Sequence, residues 1–124
     1  MTDSSLPTVV VVDDSPSVRS LFERVTKDLD VELKIFDSAI TSWEYLESQN
    51  PALLFLNIKM PGKDGLIFLQ ELRGLPIHKD TNVIILSSKD YAQDRSVAGK
   101  LGVVEFMIKP MPIKVLSDTI TKYI

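Results

Sequence analysis

Val9-Val10-Val11-Val12-Asp13-Asp14-Ser15-Pro16 is the stretch that decides the fold. Four unbroken β-branched residues predict a strand covered on both faces. Two carboxylates end it. Ser15 then reads as an N-cap and Pro16 as the first helical residue. Val18, Leu21, Phe22, Val25 and Leu29 follow at helical spacing. A buried strand that turns at once into an amphipathic helix is the first unit of an alternating layered fold.

The same unit recurs downstream. Val31 to Phe36 predicts a second strand, and a helix from Ser38 to Ser48 is expected to bury Ile40, Trp43 and Leu46. Leu53-Leu54-Phe55-Leu56 reads as a third buried strand. Met60-Pro61-Gly62-Lys63-Asp64-Gly65 is a dense turn signal. A helix carrying Leu66, Leu69 and Leu72 follows, and Gly74 stops it. Val83 to Leu86 predicts a fourth strand. Residues Asp90 to Leu101 are helical but only weakly amphipathic, with Gly99 inside. Val103 to Ile108 is a fifth strand, and Pro112 opens a last helix expected to bury Ile113, Leu116 and Ile120. Strands alternating with helices at this spacing predict a parallel sheet with right-handed crossovers and helices on both faces.

Composition narrows the function classes. A chain of 124 residues suits one domain spanning residues 1–124, and 44% hydrophobic with 25% charged residues is ordinary for a globular protein. A formal net charge of −3 gives no electrostatic reason for nucleic-acid or anionic-membrane binding. There is no cysteine, hence no disulfide and no thiol nucleophile, which fits a reducing compartment. Met1 to Pro7 is polar and does not read as a signal peptide, and the apolar runs are strand-sized. A cytoplasmic location is expected.

In sheets of this kind, sites form where loops leave the carboxyl ends of the strands. The first strand ends in Asp13-Asp14, the third in Asn57 followed by Lys59, the fourth in Ser87-Ser88 and the fifth in Lys109-Pro110. Asp14 alone reads as a turn residue capping the next helix. Next to Asp13 it also reads as part of a divalent-cation site, because magnesium takes one or two carboxylates plus water. Lys109 follows Phe106-Met107-Ile108, so its ammonium must emerge at the strand end, where it balances carboxylates or grips a phosphoryl oxygen. Ser87-Ser88 reads as a helix-entry cap or as a hydroxyl donor to phosphate.

Four stretches in order, Val-Val-Asp-Asp-Ser, Leu-Asn-Ile-Lys-Met-Pro-Gly-Lys-Asp-Gly, Ile-Leu-Ser-Ser and Met-Ile-Lys-Pro, resemble the receiver domain of two-component response regulators. The resemblance covers essentially the whole chain. It implies a flavodoxin-like α/β sandwich of five parallel strands and five helices, acting as a non-enzymatic module in phosphorelay signalling. It implies a magnesium site with Asp14 as direct ligand, Asp13 acting through water, the side chain of Asn57, and the backbone carbonyl of Lys59. Ser87, Phe106 and Lys109 take the switch and phosphate-binding positions, and Lys109-Pro110 the cis-proline turn. The partners implied are a histidine kinase or phosphorelay protein, and a downstream effector or second copy on the fourth-helix, fifth-strand and fifth-helix face.

One position departs from the family. Asn57 stands where the phosphate-accepting aspartate belongs. A carboxamide is a far poorer nucleophile toward phosphohistidine than a carboxylate. The reading therefore expects no phosphorylation, weak magnesium binding, and Lys109 paired with Asp13 or Asp14. Asn57 fits either a natural phosphate-independent receiver or an engineered Asp-to-Asn form. The rival class is a flavodoxin-like nucleotide- or flavin-binding module, which needs a phosphate cradle after the first strand. Asp13-Asp14 repels phosphate there. A magnesium phosphohydrolase would need the nucleophile that Asn57 lacks. His78, the lone histidine, reads as a solvated loop residue.

Overall fold

The computed structural model describes residues 6–124, so the polar start read over Met1 to Ser5 lies outside the described residues. The elements run β1 (Thr8–Val12), α1 (Pro16–Thr26), β2 (Glu32–Phe36), α2 (Ala39–Leu46), β3 (Leu53–Asn57), α3 (Gly65–Arg73), a 3-10 turn (Pro76–His78), β4 (Val83–Ser87), α4 (Ala92–Lys100), β5 (Glu105–Ile108) and α5 (Ile113–Tyr123). The five strands form one parallel sheet in the order β2-β1-β3-β4-β5.

Strand pleating sorts the core into two layers. Val9, Val11, Leu53, Phe55, Ile84 and Leu86 face α1 and α5, where Phe22, Val25, Leu116 and Ile120 meet them. Val10, Val12, Leu54, Leu56, Val83 and Ile85 face α2, α3 and α4. Phe22 packs edge-on against Phe55 with ring centroids 4.7 Å apart. Each fully buried Leu or Phe contributes about 1.5–3 kcal/mol by leaving water. Ser15 caps α1 as its side chain accepts the Val18 N–H, and Pro16 takes the first turn. Ser38 and Thr41 cap α2 reciprocally.

Two burial expectations fail. Ile40 is 73% exposed, and the buried positions of α2 are Ala39, Ser42 and Leu46, with Trp43 half-buried. The stripe is set by the i, i+3, i+7 row that starts at Ala39, one residue earlier than expected. Ile113 is 47% exposed for the same kind of reason: α5 turns Leu116, Thr119 and Ile120 to the sheet, so its first residue points away. Among the described residues, no helix is long and apolar enough to cross a membrane.

Candidate functional site

β1 and β3 are neighbours, while the chain leaves β1 toward β2 and β3 toward β4. The crevice above their carboxyl ends is the switch point where open α/β sheets bind ligands. Asp13 is fully buried there. Its N–H bonds to the Phe36 carbonyl at 3.0 Å, and its Oδ1 accepts the Ser15 N–H at 2.9 Å. Its Oδ2 receives no well-directed hydrogen bond but faces the Lys109 ammonium at 2.8 Å. Charge, more than directed bonding, satisfies that oxygen. The Lys109 side chain is only 18% exposed, so this is a largely desolvated ion pair. Removing one partner of such a pair leaves a buried charge, at a cost of about 3–5 kcal/mol.

Asn57 ends β3, is 4% exposed and pairs in register with Leu86. Its Nδ2 donates to the Lys59 carbonyl at 2.7 Å and to Asp14 Oδ1 at 3.4 Å. The amide thus bridges the β1 and β3 ends. The Asp14 side chain opens to solvent, as does that of Lys59.

The loop from β3 into α3 is fixed by two glycines and a cap. Gly62 has φ +87°, a conformation that side chains disfavour. At Gly65, an added Cβ would lie 2.0 Å from the Asn57 carbonyl oxygen, and the Gly65 N–H bonds to the Ile58 carbonyl at 2.8 Å. Asp64 caps α3 by accepting the Leu66 N–H at 2.8 Å and the Ile67 N–H at 3.4 Å. The sequence marked this stretch as a turn. It did not disclose that Gly65 lets the α3 backbone press against Asn57. The Asp64-Gly65 pair was the available signal, readable as cap and close approach together.

Ser87 ends β4, and its carbonyl accepts the Lys109 N–H at 2.8 Å. Its hydroxyl does not reach the amide or the acids. It donates to the Lys89 carbonyl at 2.7 Å and accepts the Lys89 N–H at 3.0 Å, closing its own turn. The Lys109-Pro110 bond is cis. Phe106 lies in β5 opposite Ile85, outside this cluster, with the Arg95 guanidinium 4.7 Å from its ring centroid. Arg95 is held in turn by Asp90, whose carboxyl that hydrogen bond holds below its ordinary range. So the structure joins Asp13 with Lys109 and Asp14 with Asn57 and the Lys59 carbonyl, and sets Ser87 and Phe106 at the flank.

His78 corrects the expectation of a solvated loop residue, being 1% exposed. Its Nδ1 meets the Thr81 hydroxyl at 2.9 Å, and its Nε2 bonds to the Leu46 carbonyl at the end of α2. The Leu46 carbonyl comes from a helix 32 residues away in sequence, which no local pattern announces. Beside it, Arg73 donates to the carbonyls of His78, Thr81, Leu101 and Gly102. Burial pulls the Arg73 guanidinium down from its ordinary range, and Asp80 partly offsets this.

Several of the oxygens a cation could use are already engaged in this arrangement. A hard ion needs free oxygens. Asp13 already faces Lys109, and the Lys59 carbonyl and Asp14 already face an N–H donor. Among the described residues, no three His, Cys, Asp or Glu side chains converge on one point.

Comparison with known proteins agrees with this architecture. The family described as Response regulator receiver domain matches residues 9–121. The chain is 35% identical over 105 residues to the cyclic di-GMP phosphodiesterase response regulator RpfG of Xanthomonas campestris pv. campestris, covering 83% of this chain and 28% of that protein. The fold is similar to chemotaxis protein CheY4 of Vibrio cholerae, with a TM-score of 0.87, 18% identity, and coverage of 96% and 99%. It is also similar to the receiver domain of a sensor histidine kinase from Pseudomonas aeruginosa PAO1, described with magnesium in its active site cleft (TM-score 0.84, 18% identity, coverage of 95% and 97%). The chain spans less than half the length of the first curated relatives it matches. It belongs to the response regulator receiver family.

Proposed function

We propose that this member of the receiver family is a single signalling domain, over residues 1–124, that works by protein contact without taking a phosphoryl group at Asn57. The observation that carries the reading is a carboxamide at the carboxyl end of β3, beside Asp14 and the Lys59 carbonyl. In the family's chemistry that position needs a carboxylate to attack phosphohistidine and form an acyl phosphate. Asn57 takes the acceptor position, Asp14 and Asp13 the metal-ligand positions with the Lys59 carbonyl, and Ser87 and Lys109 the phosphate-binding ones. Phe106 takes the aromatic switch position.

Magnesium binding is weak on this reading. Replacing a carboxylate by an amide removes one negative charge. Unit charges 4 Å apart interact by roughly 4 kcal/mol at an effective dielectric near 20; magnesium is divalent but the site is partly solvated, so the loss is on the order of a few kcal/mol. The partners are a histidine kinase or phosphorelay protein and an effector or second copy on the α4-β5-α5 face, in the cytoplasm. A nucleotide- or flavin-binding role is not favoured, because the loop after β1 presents Asp13 and Asp14 where phosphate would sit.

The test is phosphotransfer from acetyl phosphate with magnesium, followed by intact mass. The chain is expected to show no adduct, and Asn57→Asp a gain of one phosphoryl group. A stable adduct on the unaltered chain would overturn the reading.

A further inference from the structure

The geometry points to an internal replacement for a cation: the Asn57 amide nitrogen cross-links the Asp14 carboxylate and the Lys59 carbonyl, closing the pocket without metal. This rests on the reading of Asn57 above and adds to it the state in which the loop is held. A divalent ion at such a strand end does two things, neutralising the acids and tying the β1 and β3 loops together. Here two groups of the chain divide those tasks. Lys109 sits 2.8 Å from Asp13 Oδ2 and neutralises the buried acid. Asn57 Nδ2 lies 2.7 Å from the Lys59 carbonyl and 3.4 Å from Asp14 Oδ1, so one –NH2 group spans the two loops with its two protons.

The tie is hard to undo. Asn57 is 4% exposed, its backbone is locked in the ladder with β4, and the Gly65 backbone abuts its carbonyl. To offer Oδ1 to an ion, the amide would have to turn over. That would break both hydrogen bonds and bring its oxygen against the Lys59 carbonyl oxygen. The pocket therefore disfavours a cation for two reasons, the missing charge and the presence of a donor among the would-be ligands. The tie between the two loops is here built into the chain.

The experiment adds magnesium chloride alone, with no phosphodonor, to the unaltered chain, Asn57→Asp and Asn57→Leu. Side-chain amide signals of Asn57 are assigned by their loss in the variants. In the unaltered chain they are expected to exchange slowly with water and to stay in place under millimolar magnesium, and the unfolding temperature is expected not to move. Asn57→Leu, which keeps the bulk and loses both donors, is expected to unfold roughly 5 °C lower with or without magnesium. Asn57→Asp is expected to unfold lower without magnesium and to recover with it. Magnesium moving the Asn57 signals, or stabilising the unaltered chain as much as Asn57→Asp, overturns the proposal. So does an Asn57→Asp protein indifferent to magnesium. If Asn57→Leu does not fold, the amide signals and Asn57→Asp still decide. Failure of phosphate independence is read separately, as an acetyl-phosphate adduct on the unaltered chain.

Discussion

α3 and α4 are nine residues each, follow neighbouring strands and lie on the same face of the sheet, yet they are held very differently. α3 starts with Asp64 capping two N–H groups and Gly65 pressed onto β3, and it buries Leu66, Phe68, Leu69 and Leu72. α4 starts at Tyr91 with no side-chain cap and buries only Ala98. The loop after β3 is thus pinned to the site, whereas the loop after β4 ends in a helix resting on little. α4 should therefore open more readily than α3.

Ways to break that contrast follow in order of size. Gly65→Ala should cost roughly 3 kcal/mol or more, because the clashing atom is backbone and cannot step aside. Chemical denaturation measures it, and a cost near zero would show that α3 is not pinned. Leu69→Ala should cost about 2–5 kcal/mol, whereas Val97→Ala on α4 should stay within about 0.5 kcal/mol. Equal costs would erase the distinction. Arg73→Lys should cost about 1–3 kcal/mol by leaving carbonyls unpaired, and it sharpens the comparison, since Arg73 moors the end of α4 to α3. Hydrogen exchange should then rise first around Leu101.

The smallest effect is at the start of α4. Arg95 holds the Asp90 carboxyl below its ordinary range. A depressed folded-state value adds stability above the ordinary carboxylate pKa, lost as pH falls through the depressed one. Arg95→Ala should therefore lower stability slightly at neutral pH, where this contribution is present, and leave stability at low pH unchanged, so that the acid limb flattens, as followed by circular dichroism. Both groups are solvent-exposed, which keeps the effect small.

The alternation of strands and helices was legible in the sequence, because valine and leucine runs bounded by turn residues leave little choice. Asp13, Asp14, Asn57 and Lys109 were legible as strand-end groups for the same reason. Helix phase was less legible. Ile40 and Ile113 are apolar at helix starts, and only the sheet below decides which row turns inward. Ser87 was read as a helix-entry cap or as a hydroxyl donor to phosphate, and its hydroxyl here closes a turn onto Lys89, a local choice that spacing does not encode. His78 was missed because its environment is made by Leu46, Thr81 and Arg73, brought together only by folding.

Among the described residues, Arg73 grips its neighbours through main-chain oxygens alone. A fastening of that kind reads the path of the chain and is blind to the identity of the side chains along it. The turn after α4 can therefore be rewritten, but only where its own residues are not fixed otherwise, as Gly102 is by its φ of +75° and Leu101 and Val103 are by packing on the core. A designer wishing to graft a new recognition loop onto this domain would find there an anchor that asks for a backbone path first and for particular side chains only at those three positions.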